Sequence, residues 1–561
     1  MPAFTPQTLL SLLTIRNLVL ALVAYVLLSW AEQIIRYRFF SPLRDFPGPF
    51  WASVTRLWIA YHNLKEDECQ VELALHKKHG PVLRITPTML LVSDASKLPE
   101  VYTRNADKSK YYVTGSFGKT ESLFNMQSHK VHAHYRKIAA GPYAFSNIKK
   151  MEPLVDTRMR AWMRKMEEKF VGTGEVFDFA PWAVFMAYDI ISEIGFGAPI
   201  GFIEQGEDVG GLIRGFHEGL PAFGLMGRLW PFTYRVKNTR LGEKFLVAKP
   251  EDESGIGMLM RFRDKLLAQR RRDIEEGKAG DRLDLLQTFI DARDDDGNPL
   301  SDDYIKAEIL LVLLAGADTT GTAFQGMIYH VMTNKDIYHR LVHEIETATR
   351  DGKIGGMPQY DEVQEACPFY VACVKETMRL NPSAPNIFPR TVGKVGMELE
   401  GKFVPEGTEI TCNPWLVHRD PAVFGEDAEA FRPERWLEDE EQTKQLNKYN
   451  MAFGYGSRTC LGKDIAMMEL YKGPLLFFRD FTPHLADEKK PGVWTVKGGV
   501  AFWRDMWMTL EKRSALTFYT IASGPLQFTR WRDEGVFKDA MLTGYSAMNA
   551  REILAFMLHA Q

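Results

Sequence analysis

Cysteine is scarce in this chain: Cys69, Cys367, Cys373, Cys412 and Cys460 are the only five among 561 residues, with no CxxC pair. That odd number and wide spacing exclude a disulfide framework and a zinc site, so a reducing environment suits the main body. An excess of one charge is lacking too. Lys and Arg total 69 against 72 Asp and Glu, a formal net charge of −3, and no basic surplus points to nucleic acid. Internal repeats and low-complexity tracts are absent. With 45% hydrophobic and 25% charged residues, the composition is that of an ordinary globular enzyme.

One long apolar run is present. From Thr8 to Ile35 the sequence is mostly Leu, Val, Ala and Ile, interrupted by Arg16 and Asn17 and closed by Glu32; about 20 such residues span a bilayer. No basic start precedes the run and no small-residue cleavage site follows it, which favours a retained anchor over a cleaved signal. Arg36, Arg38 and Arg44 place its far flank in the cytosol. Phe46-Pro-Gly-Pro-Phe50 then stiffens the chain before the body begins.

Within the body, short β-like runs are predicted at 81–86, 89–93 and 393–412, and a strand-like stretch at 503–510. Apolar residues at three and four spacing predict helices over 151–171, 258–276, 302–333, 336–350 and 361–380. The fold class is mainly α with small β-sheets. Charges crowd 270–303, as on a solvated surface. The aromatic, Gly- and Pro-containing segment 216–232 reads equally as a mobile lid, a membrane contact or ordinary loop packing.

The stretch Phe453-Gly-Tyr-Gly-Ser-Arg-Thr-Cys-Leu-Gly462 sets three glycines around Cys460. A nucleophilic cysteine needs a nearby base, and this loop offers only Arg458 and Lys463. An inert buried thiol has no use for flanking glycines. A thiolate bound to haem iron does, because backbone N–H groups around the sulfur and the helix that follows tune its electron donation.

The string resembles the haem-binding signature of the cytochrome P-450 family, FxxGxRxCxG, at Phe453, Gly456, Arg458, Cys460 and Gly462. Other family signatures follow the same order: Ala315-Gly-Ala-Asp-Thr-Thr320, Glu376-Thr-Met-Arg379 and Pro433-Glu-Arg-Trp436. The resemblance implies a cytochrome P-450 fold preceded by one N-terminal transmembrane helix, with an anchor and basic flank at 1–45, a catalytic domain at 46–513 and an extension of unknown role at 514–561. It implies haem b held by Cys460 as axial ligand. Phe453, Gly454, Gly462, Ala315 and Gly316 would lie against the haem, while His132, Arg136, Arg390 and Arg458 would meet its propionates; His132 departs from the family's usual Trp. Asp318 and Thr319 would deliver protons during oxygen activation, with the small residues around them leaving a groove for dioxygen. Glu376, Arg379 and Arg435 would form a buried structural network.

The same resemblance, which extends to filamentous-fungal microsomal members such as the pisatin demethylase-like group, implies a monooxygenase acting on a lipophilic small molecule in secondary metabolism. Candidate pocket walls are 111–124, 216–223, 311–315 and 384–388. Electrons would come from NADPH through NADPH-cytochrome P-450 reductase, with cytochrome b5 as a further donor, at the endoplasmic reticulum membrane with the catalytic domain facing the cytosol. Lys130, Lys137 and Lys463 are docking candidates. Two other readings stand beside this one: a haem-thiolate isomerase or dehydratase that needs no reductase, and a non-catalytic membrane-anchored haem carrier or sensor.

Overall fold

A computed structural model describes residues 15–513 apart from 116–119, 246, 253–255, 279 and 281. The expected extension at 514–561 lies outside the described residues. Helix α1, Ile15–Phe39, is the apolar run; most of its described side chains are exposed and none is buried. It is a candidate membrane anchor. Its far end is tied to the body: Arg84, itself buried, donates to the carbonyl of Tyr37 at 2.9 Å and to Ser41 Oγ at 3.2 Å.

Strands β1, Val82–Thr86, and β2, Met89–Val92, start a five-stranded sheet continued by β3, Asp107–Lys108. The helical body follows: α2, His129–Ala140; α3, Glu152–Phe170; α4, Ala180–Phe196; α5, Leu212–Arg228; α6, Ile256–Glu275; α7, Asp302–Met332; α8, Lys335–Arg350; and α9, Pro368–Leu380. Strands β4, Arg390–Thr391, and β5, Glu409–Thr411, complete the sheet in the order β1-β2-β5-β4-β3. Only β2 and β5 run parallel in it. Helix α10, Lys463–Asp480, and strand β6, Val500–Arg504, close the body.

Helix α7 is the central strut. Ser301 caps it by accepting the Tyr304 amide, Asp302 and Asp303 stand in its first turn, and most of its 31 residues are buried. It is long and apolar enough to cross a membrane, but the body encloses it. Helix α4, which periodicity did not reveal, packs along it. Nearly every residue of α4 is buried, so it carries no polar face to mark it.

Three expectations need correction. The helix expected over 361–380 is two, Tyr360–Ala366 and α9, because Pro368 cannot donate the bond that would continue the first. The expected strand at 503–510 is two strands, β6 and Trp507–Lys512, separated where Asp505 adopts a φ of 59°. Segment 216–232 is no loop: it belongs to α5, with Pro221 inside it, and to the helix Trp230–Lys237.

Candidate active site

A cavity of about 340 Å³ lies between α7 and the loop before α10. Cys460 opens onto it, with Ala452, Phe453, Gly454, Leu461 and Gly462 around the sulfur and Leu311, Val312, Ala315, Gly316 and Thr319 of α7 among its other lining residues. The loop's shape comes from its glycines. Gly454 has a φ of 76°, and at Gly456 an added Cβ would stand 2.5 Å from the Tyr102 carbonyl oxygen. The Cys460 amide donates to the Phe453 carbonyl at 2.8 Å, closing the loop on itself. Enclosure raises the thiol above its ordinary range, while the amides of Gly462 and Lys463 and the charge of Arg136 act to lower it. Those amides begin α10, so its positive end serves the sulfur.

Cations gather at the cavity wall. The antiparallel register of β3 with β4 sets Lys108 opposite Arg390, a like-charge pairing that is unfavourable by itself. Arg136, Arg458 and His132 join them around the cavity. Arg136 donates to the Thr459 carbonyl at 2.8 Å, Arg458 to the carbonyls of Met126 and Gln127 at 2.6 and 2.9 Å, and Arg390 to Tyr112 Oη at 3.2 Å. None of Lys108, Arg136, Arg390 and Arg458 has a carboxylate partner within ion-pair distance among the described residues. Burial and then the charges of Arg390, Arg458 and Arg136 push the Lys108 ammonium well below its usual range. Burial and the same cations push His132 down to about 3, so its imidazole is neutral. Lys108 and Arg390 are buried and Arg136 and Arg458 half-buried, and cations so enclosed without a counter-charge call for an anion. Thiol, N–H groups, apolar walls and cations together suit a flat apolar group with a cationic centre and acidic substituents, as haem is.

Behind the loop, Glu376 is saturated. Arg379 holds it at 2.8 and 2.9 Å, Arg435 at 2.9 Å, Trp436 Nε1 at 2.9 Å and the Arg432 amide at 2.9 Å. Burial would raise this carboxyl, but the hydrogen bond from Arg379 and the charges of Arg379 and Arg435 together hold it below its ordinary range. The network reaches the cysteine loop through His418. Its Nδ1 bonds the Arg379 carbonyl at 2.8 Å, and its Nε2 accepts the Met451 amide at 2.8 Å.

On α7, Thr319 lines the cavity and its hydroxyl donates to the Ala315 carbonyl at 2.7 Å. Asp318, one residue back and about 100° around the helix, is buried outside the cavity lining and meets His217 Nε2 at 3.2 Å. The space at Gly316 is taken by α4: an added Cβ would stand 2.7 Å from Ile191 Cγ1. Close helix packing, rather than a groove alone, requires glycine there.

Sequence reading missed Lys108, His418, His217 and Glu308. Lys108 sits in a short charged stretch with no pattern, and the other three are defined by distant partners. Glu308 lines the cavity and accepts the Leu123 amide at 2.6 Å. Of the expected pocket walls, 111–124, 311–315 and 384–388 contribute lining residues, whereas 216–223 contributes none among the described residues. Of the three surface lysines, Lys137 pairs with Asp295 at 2.6 Å, and Lys130 and Lys463 are exposed.

The family model for cytochrome P450 matches residues 46–498. Quiannulatic acid synthase of Emericella variicolor is 36% identical over 513 residues, 90% of this chain and 97% of the relative. Cytochrome P450 monooxygenase gsfF of Penicillium aethiopicum is 32% identical over 84% of this chain and 92% of its own, and cicH of Emericella nidulans is 31% identical over 77% and 86%.

Proposed function

Because this chain belongs to the cytochrome P450 family and is a haem-thiolate monooxygenase, we propose that it oxidises a lipophilic small molecule in a tailoring step of secondary metabolism. NADPH supplies the electrons through a membrane-bound reductase. The observation that carries the site assignment is a lone cavity-facing thiol under two backbone amides, with Thr319 on the same cavity and cations that no carboxylate among the described residues neutralises.

When bound, haem supplies oxygen activation and insertion into a substrate C–H bond. Cys460 would hold the iron, and the amides of Gly462 and Lys463 would stabilise its thiolate. Arg136, Arg390, Arg458 and Lys108 would hold the propionates, with neutral His132 as a further hydrogen-bond donor. Phe453, Gly454, Gly462, Ala315 and Gly316 would wall the ring. Thr319 positions a proton at its hydroxyl, and Asp318 replenishes it. The apolar wall of Leu311, Val312, Phe124 and Phe388 excludes water and orients the substrate. Glu376, Arg379 and Arg435 keep the cysteine loop in place.

Helix α1 and its basic flank set the catalytic domain, residues 46–513, on the cytosolic face of the endoplasmic reticulum, where NADPH-cytochrome P-450 reductase and cytochrome b5 are available. The similar proteins named quiannulatic acid synthase, gsfF and cicH support a fungal natural product as substrate. Incubating the full-length protein in membranes with candidate metabolites tests the reading. Oxygenated product should form only with reductase and NADPH; equal consumption without them would indicate an isomerase or dehydratase instead.

A further inference from the structure

Asp318 is 1% exposed, its Oδ2 has no hydrogen-bond partner among the described residues, and its Oδ1 meets a side chain from another helix, His217 of α5. The imidazole is held flat against Phe502 of β6, centroids 4.2 Å apart and planes at 11°, and its side chain keeps 21% of its surface exposed. Its other nitrogen, Nδ1, has no protein partner among the described residues. One ring therefore joins solvent to a carboxylate that is otherwise sealed.

We propose that His217 is the positioning residue through which protons reach Asp318, so that α5 supplies the outer member of the proton path to the cavity. The inference rests on the reading that Asp318 replenishes Thr319. A solvent proton taken up at Nδ1 charges the ring, and the Nε2 proton then passes to Asp318 Oδ1, turning a charged pair into a neutral one. The carboxyl holds that proton until it is released inward; the ring regains its starting tautomer by exchange with water. One proton enters for each that leaves, and no electron moves.

The helix that carries the ring is held close to the body. An added Cβ on Gly224 would stand 2.3 Å from Asn63 Oδ1, and one on Gly227 2.8 Å from the Tyr111 ring, so α5 lies close on the body. Arg228 at its end grips both oxygens of buried Glu68, at 2.9 and 3.1 Å. The other groups near the pair do not compete for it. Tyr188 of α4, its phenol raised well above the usual range by burial and then by Asp318 and Asp208, stays neutral, and Lys497 lies beyond Phe502, 5.9 Å from that ring's centroid.

Two variants and one spectroscopic measurement test this in the full-length, haem-loaded protein. His217→Gln keeps an N–H for Asp318 but cannot take up and pass on a proton. It should release more hydrogen peroxide per NADPH, with coupled turnover falling by up to about 10²-fold, the low end of a positioned proton donor's contribution, and its pH profile should flatten. A His217→Gln protein that couples like the parent across pH would overturn the proposal and leave the imidazole a packing role. Asp318→Asn separates the premise from the inference. If it couples fully, the carboxylate itself has no part; if it uncouples while His217→Gln does not, only the imidazole's role falls. Independently of turnover, the His217 Nε2 resonance in ¹⁵N-histidine-labelled protein should shift in Asp318→Asn, and an unshifted resonance would mean that the pair does not form.

Discussion

Glu376 and Asp318 are both fully buried carboxylates, yet Glu376 accepts five hydrogen bonds and Asp318 meets one imidazole. The first sits behind the cysteine loop and uses every lone-pair direction it has. The second leaves Oδ2 without a partner among the described residues. A saturated buried network is rigid, and removing one member strands the rest; an unsaturated one costs free energy in the ground state and leaves room for a proton to arrive. Within one protein, polar burial thus serves two ends: holding the cysteine loop, and leaving bonding capacity where α7 meets α5.

Breaking the holding side should have the largest effects. Cys460→Ser should abolish the red-shifted carbon monoxide difference band of the ferrous haem, and persistence of that band would remove Cys460 as ligand. Next, Glu376→Gln weakens the clamp on two buried guanidiniums at once, at a cost of about 3–5 kcal/mol. Haem content and thermal unfolding should both report it. Asp318→Asn should leave unfolding almost unchanged, since a single contact is lost; equal destabilisation by the two variants would erase the contrast.

A third test uses Glu308, which burial pushes up to about 7 despite the Leu123 amide that favours its charged form. Between the ordinary carboxyl range and that value, the folded protein holds a proton that the unfolded chain has released. Its contribution to stability is therefore present at low pH and is lost as pH rises through about 7, by on the order of 3 kcal/mol. Glu308→Gln should flatten that part of the stability–pH curve, measured by urea unfolding at pH 5 and pH 8. An unchanged slope would place the proton elsewhere.

The holding side was the legible one. Five fixed positions in ten residues around Cys460, and a Glu and Arg three apart on one helix, are local patterns, and local geometry follows from them. Arg435 followed from the resemblance, whereas His418, which joins the network to the loop, did not. The rest of the site depends on residues far apart in the chain. His217 lies 101 positions from Asp318 and Lys108 meets Arg390 through a two-residue strand pairing, so neither leaves a periodic signal. Segment 216–232 was ambiguous because Pro221 and its glycines look like a loop, while in the fold two of those glycines, Gly224 and Gly227, let α5 approach the body.

The smallest expected effect bears on Gly316. Ala is preferred over Gly in a helix interior by up to ~1 kcal/mol, so on propensity alone Gly316→Ala should stabilise α7. Its Cβ would, however, stand 2.7 Å from Ile191 Cγ1 and 3.0 Å from Cδ1, and crowding a packed interface costs about 1–3 kcal/mol. Packing outweighs propensity, and the variant should be less stable by about 1 kcal/mol. In an Ile191→Ala background the obstacle is gone, and the same substitution should become stabilising; the double-mutant cycle measures that reversal. If Gly316→Ala destabilises equally in both backgrounds, α4 is not what requires the glycine, and space at the cavity becomes the better explanation.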